Sequence, residues 1–182
     1  MKWRNDATAY GGISIAFHWV MAALLVAVYA FMELRGIFPK GSAGRELMKN
    51  AHFMLGLSVL ALAAARLALN LLDRAPPIAP EPPRWQSLSG HAMHYALYAL
   101  MLGLPLLGWL LLSASGKPIP FFGLTLPALI AENSDTADLI KEIHEAGATA
   151  GYFLIGGHAA AALFHHYVKK DNTLLRMLPR SR

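Results

Sequence analysis

The chain has 182 residues, of which 55% are hydrophobic and 15% charged, with no cysteine and a formal net charge of +5. Soluble domains carry about a quarter charged residues, so this composition argues against a soluble enzyme. Without thiols there can be no disulfide, no thiolate-held iron–sulfur cluster, no cysteine zinc site and no C-x-x-C-H haem attachment.

The apolar residues gather into four runs, at about 13–32, 51–72, 91–112 and 143–164. Each approaches the roughly 20 residues needed to cross a bilayer core. The first is too long for the apolar region of a cleavable signal and is read as a retained span. After the second comes a stiff connector, Ala75-Pro76-Pro77-Ile78-Ala79-Pro80-Glu81-Pro82-Pro83. Pro105 lies within the third run, where neighbouring membrane helices can re-satisfy the backbone groups it frees. Residues 113–142, with Gly116, Pro118, Pro120 and Pro127, read as a polar loop. The expected fold class is therefore all-α, an integral membrane four-helix bundle forming a single domain over residues 1–182.

Ten Lys and Arg fall on the face that holds both termini and the connector, against six on the other. The positive-inside rule then places both termini in the cytoplasm. This topology accounts for the basic charge with membrane lipid as the partner and no nucleic acid.

Ionisable residues inside spans are costly and point to function. His18, His52, His91, His94, His144 and His158 lie within the runs or at their edges, and His165 and His166 follow the last. Neutral, inward-facing imidazoles suit axial ligation of haem iron. His144 and His158 are 14 residues apart, which on a helix gives directions about 40° apart and heights about 21 Å apart. One helix face would thus present two imidazoles at opposite depths, suiting two stacked cofactors.

Depth selects their partners. His18 matches His158 near the cytoplasmic side, and His52 matches His144 near the periplasmic side. Each pair would hold one haem b through both axial positions, a closed centre suited to electron transfer. His94, at a depth similar to His18 and His158, is an alternative ligand there. Gly147, Ala148 and Gly151, along the stripe between the two histidines, and Gly56, one turn after His52, are expected to make room for a flat ring. A quinone needs a hydrogen-bond donor and a proton source. His94, His91 and His165 are candidates at the cytoplasmic end, with Arg74 and Trp19 secondary.

The segments Ser14-Ile15-Ala16-Phe17-His18-Trp19, Glu33-Leu34-Arg35-Gly36-Ile37-Phe38-Pro39 and Gly157-His158-Ala159-Ala160-Ala161-Ala162-Leu163-Phe164-His165-His166-Tyr167 resemble the bacterial cytochrome b561 family. So does the tail from Lys170 to Arg180, and the likeness covers essentially the whole chain. It implies a four-helix bundle of the bacterial inner membrane holding two b-type haems, with ligands at His18, His52, His144 and His158. The wider group includes haem subunits that pass electrons from hydrogenases and formate dehydrogenases to quinone. Small stand-alone members are regarded as superoxide oxidases, which carry electrons from periplasmic superoxide to ubiquinone.

That activity, a superoxide:ubiquinone oxidoreductase, is the one expected here. Arg35, Lys40 and Arg45, with Lys49, form a basic cluster in the first periplasmic loop that would steer the anion. Glu132, Asp135, Asp138 and Glu142 in the second loop partly offset it. A haem subunit serving a hydrogenase or dehydrogenase partner is the alternative within the same chemistry. A proton or metal transporter using the histidines is the alternative from another class, disfavoured by the scarcity of Asp and Glu within the runs.

Overall fold

Four long helices account for most of the chain: α1 (Gly12–Leu34), α2 (Ala43–Leu72), α3 (Arg84–Ala114) and α4 (Ser134–Phe164). They belong to a computed structural model that describes residues 3–6, 9–73 and 75–178. All four are long and apolar enough to cross a membrane. The protein is an all-α, multi-pass membrane bundle.

The helix starts follow from local chemistry. Ser42 caps α2 by accepting from the Arg45 backbone N–H at 3.3 Å, and Asn133 caps α4 by accepting from that of Thr136 at 2.8 Å. Such oxygens satisfy donors that a helix N-terminus leaves open. Asn133 explains why α4 begins nine residues before the apolar run at Ile143. The added turns are polar, so hydropathy alone does not register them. Within the spans, the hydroxyls of Ser58, Ser113 and Thr149 donate to the carbonyls of Met54, Trp109 and Glu145, four residues earlier in each case. A lipid-embedded hydroxyl needs an internal partner of this kind.

Successive helices pack side by side, α1 on α2, α2 on α3 and α3 on α4. Met21, Val59, Ala63, Leu97, Leu100 and Met101 form the central core. Apolar side chains on the outside, including Val26, Leu71, Tyr95 and Phe153, are exposed, as a lipid-facing surface requires.

The loop between α3 and α4 contains a short antiparallel hairpin, β1 (Ile119–Phe121) paired with β2 (Leu124–Leu126). Its turn uses positive φ at Phe122 and Gly123. Ile119 packs with Leu57 and Leu112, seating the hairpin against α2 and α3. The opposite end gathers the described residues nearest the two termini and the proline connector. There Arg4 pairs with Asp73 at 2.9 Å, Trp19 Nε1 donates to the Met177 carbonyl at 2.7 Å, and the Ala79 N–H donates to Asn172 Oδ1 at 2.9 Å. The two ends of the bundle are called below the hairpin end and the terminal end.

Candidate functional site

α4 reaches α1 and α2 through side chains, and histidines make two of the crossings. At the hairpin end, His52 of α2 faces His144 of α4 with ring centres 6.3 Å apart. At the terminal end, His18 of α1 faces His158 of α4 at 6.2 Å. Two imidazoles bound to one metal between them, with bonds of about 2 Å each, have ring centres about 6 Å apart. Both separations fit such an arrangement. His94 of α3 lies closer to His158, at 5.5 Å, and is partly accessible at the bundle surface. Among the described residues no three metal-ligating side chains converge on one point.

A cavity of about 320 Å³ adjoins the hairpin-end pair, lined by His52, His144, Gly56, Phe53, Leu104 and Arg35 among others. His52 Nδ1 lies 2.9 Å from the Val28 carbonyl. A carbonyl only accepts, so that nitrogen carries the proton and Nε2 keeps its lone pair, the form a metal binds. His144 Nδ1 is buried and meets no acceptor in hydrogen-bonding geometry, with the Leu104 carbonyl nearby but outside it. A Cβ on Gly56 would meet nothing within 4 Å. This end therefore offers two facing imidazoles, an apolar cavity and a glycine floor, features that fit a flat bis-imidazole cofactor.

The glycine stripe on α4 differs from expectation. A Cβ on Gly151 would strike the Tyr29 hydroxyl and approach Leu100 to 2.8 Å, and one on Gly147 would approach Leu104 to 2.6 Å. Tyr29 donates to the Ala148 carbonyl at 2.9 Å. Gly147 and Gly151 thus admit side chains of α3 and α1, whereas Ala148 and Gly56 line the hairpin-end cavity.

The chain belongs to the prokaryotic cytochrome b561 family. The model of that family matches residues 9–180. Cytochrome b561 homolog 1 of Escherichia coli (strain K12) is 48% identical over 166 residues, covering 91% of this chain and 94% of that protein. A probable superoxide oxidase, CybB, of Yersinia pestis is 39% identical over 173 residues, covering 95% and 97%. Cytochrome b561 homolog 2 of Escherichia coli (strain K12) is 30% identical over 182 residues, covering 100% and 97%. Proteins of this family are membrane electron-transfer cytochromes that bind b-type haem, typically two.

Other residues singled out in this cytochrome have more particular surroundings. Arg35 lines the hairpin-end cavity and contacts the Met32 sulfur. Arg45 donates through Nη1 to the Arg35 and Phe38 carbonyls at 3.1 and 3.3 Å, which ties it to the loop backbone. Lys40 is exposed, and Lys49 pairs with Glu46 at 2.9 Å. At the terminal end, the Trp19 indole N–H is taken by Met177, while its ring meets His18 edge-on at 5.3 Å. Arg74 lies outside the described residues.

His165 sits in a single π-helical turn, His165–Lys169, that ends α4, with its Nδ1 2.5 Å from Asp171 Oδ2. Asp171 is buried and also accepts from the Thr173 N–H at 2.8 Å. Burial pushes its carboxyl upward, but the contacts with His165 and Thr173 outweigh this and hold it below the usual carboxylate range. The sequence alone gives Asp171 no role. Arg66 enters only among the ten basic residues of the cytoplasmic face, although Arg66 Nη1 lies 3.1 Å from His18 Nδ1, within the bundle. The one available signal is the position of Arg66, inside the second apolar run and well short of its end.

Proposed function

We propose that this cytochrome carries electrons across the inner membrane from periplasmic superoxide to ubiquinone, through two haems b held by His52/His144 and His18/His158. The observation that carries this reading is the two imidazole pairs, at 6.3 and 6.2 Å, joined by one helix from the hairpin end to the terminal end. The likeness to a probable superoxide oxidase supports the choice of donor. The excess of Lys and Arg at the terminal end supports a cytoplasmic location for both termini.

When bound, the haems supply one-electron redox chemistry at two depths. The chain's own groups do the rest. His52 is fixed for ligation by the Val28 carbonyl. Arg35 and Lys40 place positive charge at the hairpin end, where an anion would arrive. At the terminal end, His165, held by Asp171, and His94 can donate hydrogen bonds to a quinone oxygen and pass protons to it. Two superoxide anions each lose one electron and leave as dioxygen. One ubiquinone takes both electrons and two protons and leaves as quinol.

A pyridine haemochrome and a reduced-minus-oxidised spectrum of purified protein should show two b haems per chain, and none would refute the scheme. Superoxide added to the purified protein with ubiquinone should yield quinol without any partner. Reduction only in the presence of a dehydrogenase partner would instead identify a complex subunit.

A further inference from the structure

Arg66 lies inside α2 and is only partly exposed. It contacts His18 Nδ1 at 3.1 Å and the Tyr98 hydroxyl. Tyr98 is also bonded by Asn70 at 2.7 Å. Among the described residues, no carboxylate lies within ion-pair distance of Arg66. A guanidinium held within a span without an anion is costly, and such groups normally pair.

Its contact with His18 sharpens the point. Guanidinium has only donors, and a neutral imidazole has one N–H. The observed contact therefore makes His18 Nδ1 the acceptor and puts the ring proton on Nε2. Metal ligation through Nε2 requires the reverse, with the proton on Nδ1. Two donors would then face each other, and Arg66 needs a new acceptor. His52, whose Nδ1 faces a carbonyl, has no such conflict.

We propose that Arg66, assisted by the Tyr98 hydroxyl, binds a propionate carboxylate of the haem held by His18 and His158. This rests on the di-haem reading. The ligand that removes the Nδ1 acceptor brings its own anion, so the cation and the vacated donor are matched in one event. Arg66 is then a cofactor-binding residue at the terminal-end centre, whereas at the hairpin end His52 Nδ1 meets the Val28 carbonyl and no guanidinium.

The test is haem uptake by apoprotein in detergent, using the full chain carrying His52→Ala so that only the inner pair is read. Haem b and its propionate dimethyl ester are titrated into this chain and into the same chain with Arg66→Met or Arg66→Lys. Arg66→Met should weaken haem b binding by about 10- to 100-fold, the scale of a lost charged hydrogen bond. Esterification should cause a similar loss with Arg66 present and little further loss in the Arg66→Met chain, while Arg66→Lys should recover part of the affinity. Unchanged affinity in Arg66→Met, or an esterification loss that persists in full there, would overturn the proposal. Absence of haem from the unsubstituted protein would instead refute the di-haem reading. Should His52→Ala fail to fold, redox titration with both pairs intact serves the same purpose: Arg66→Met should move one of two midpoint potentials, and moving neither or both equally would refute the assignment.

Discussion

His52 Nδ1 meets the Val28 carbonyl at 2.9 Å, joining α2 to α1 at the level of the hairpin-end cavity. The contact orients the imidazole and leaves the Nε2 lone pair available to a metal, a role that outer-shell acceptors commonly serve for metal-bound histidines. His52→Ala and His144→Ala should each remove one haem of two, read as half the pyridine haemochrome absorbance per chain. His94→Ala should retain both, because the His18/His158 separation of 6.2 Å suits a shared metal better than the 5.5 Å of His94/His158. Loss of a haem in His94→Ala would assign the inner pair differently.

The glycines separate packing from cofactor space. At Gly151 a side chain collides with Tyr29 and Leu100, whereas at Gly56 it meets open cavity. Overpacking a tight helix contact costs roughly 1–3 kcal/mol. Gly151→Leu should therefore lower the thermal midpoint of the apoprotein in detergent. Gly56→Leu should leave that midpoint nearly unchanged and lower haem content. Equal effects of both substitutions on apoprotein stability would remove the distinction.

The four spans are legible because a bilayer imposes a length and an apolarity that composition records directly. The pairing of His18 with His158 and of His52 with His144 follows from depth, since helix rise converts residue number into height. The hairpin at Ile119–Leu126 is not expected among the prolines of the loop. Its strands are three residues each and are held by contacts from Leu57 and Leu112, the former far away in sequence. The roles of Gly147 and Gly151 are misread for a related reason. A small residue creates space, but only the neighbouring helices determine whether Tyr29, Leu104 or a cofactor fills it. Arg66 is hidden because a lone basic residue in a span is readily counted with its flank as a topological signal, and its contact with His18 depends on the rotation of α2.

Asp171 couples the tail after α4 to His165 and Thr173. Its carboxyl is held below the usual range despite burial, so the native state favours the ionised form. The sign follows from linkage: this stabilisation is fully present above the ordinary carboxylate value of about 4 and is lost as pH falls through the lowered native value. Asp171→Asn should lower the thermal midpoint at neutral pH, with a cost of roughly 1–3 kcal/mol for the disrupted buried contacts. It should also flatten the acid limb of a plot of midpoint against pH. An acid limb identical to that of the unsubstituted protein would show that Asp171 does not contribute to it.

Lys40 and Arg45 carry the same charge but sit differently. Arg45 is bonded to two backbone carbonyls, whereas Lys40 is exposed. Steering of a small anion depends on field and is screened over about 10 Å at 0.1 M salt. Lys40→Gln should slow the second-order reduction of the cytochrome by superoxide a few-fold at low ionic strength. The difference should shrink as salt is added, without a change in haem content or thermal midpoint. Arg45→Met should lower the thermal midpoint, because it removes the guanidinium that ties the Arg35 and Phe38 carbonyls together. Stopped-flow reduction across a salt series reads the first effect and thermal unfolding reads the second. A Lys40→Gln rate deficit that is independent of salt would point to direct contact with the donor instead of long-range attraction.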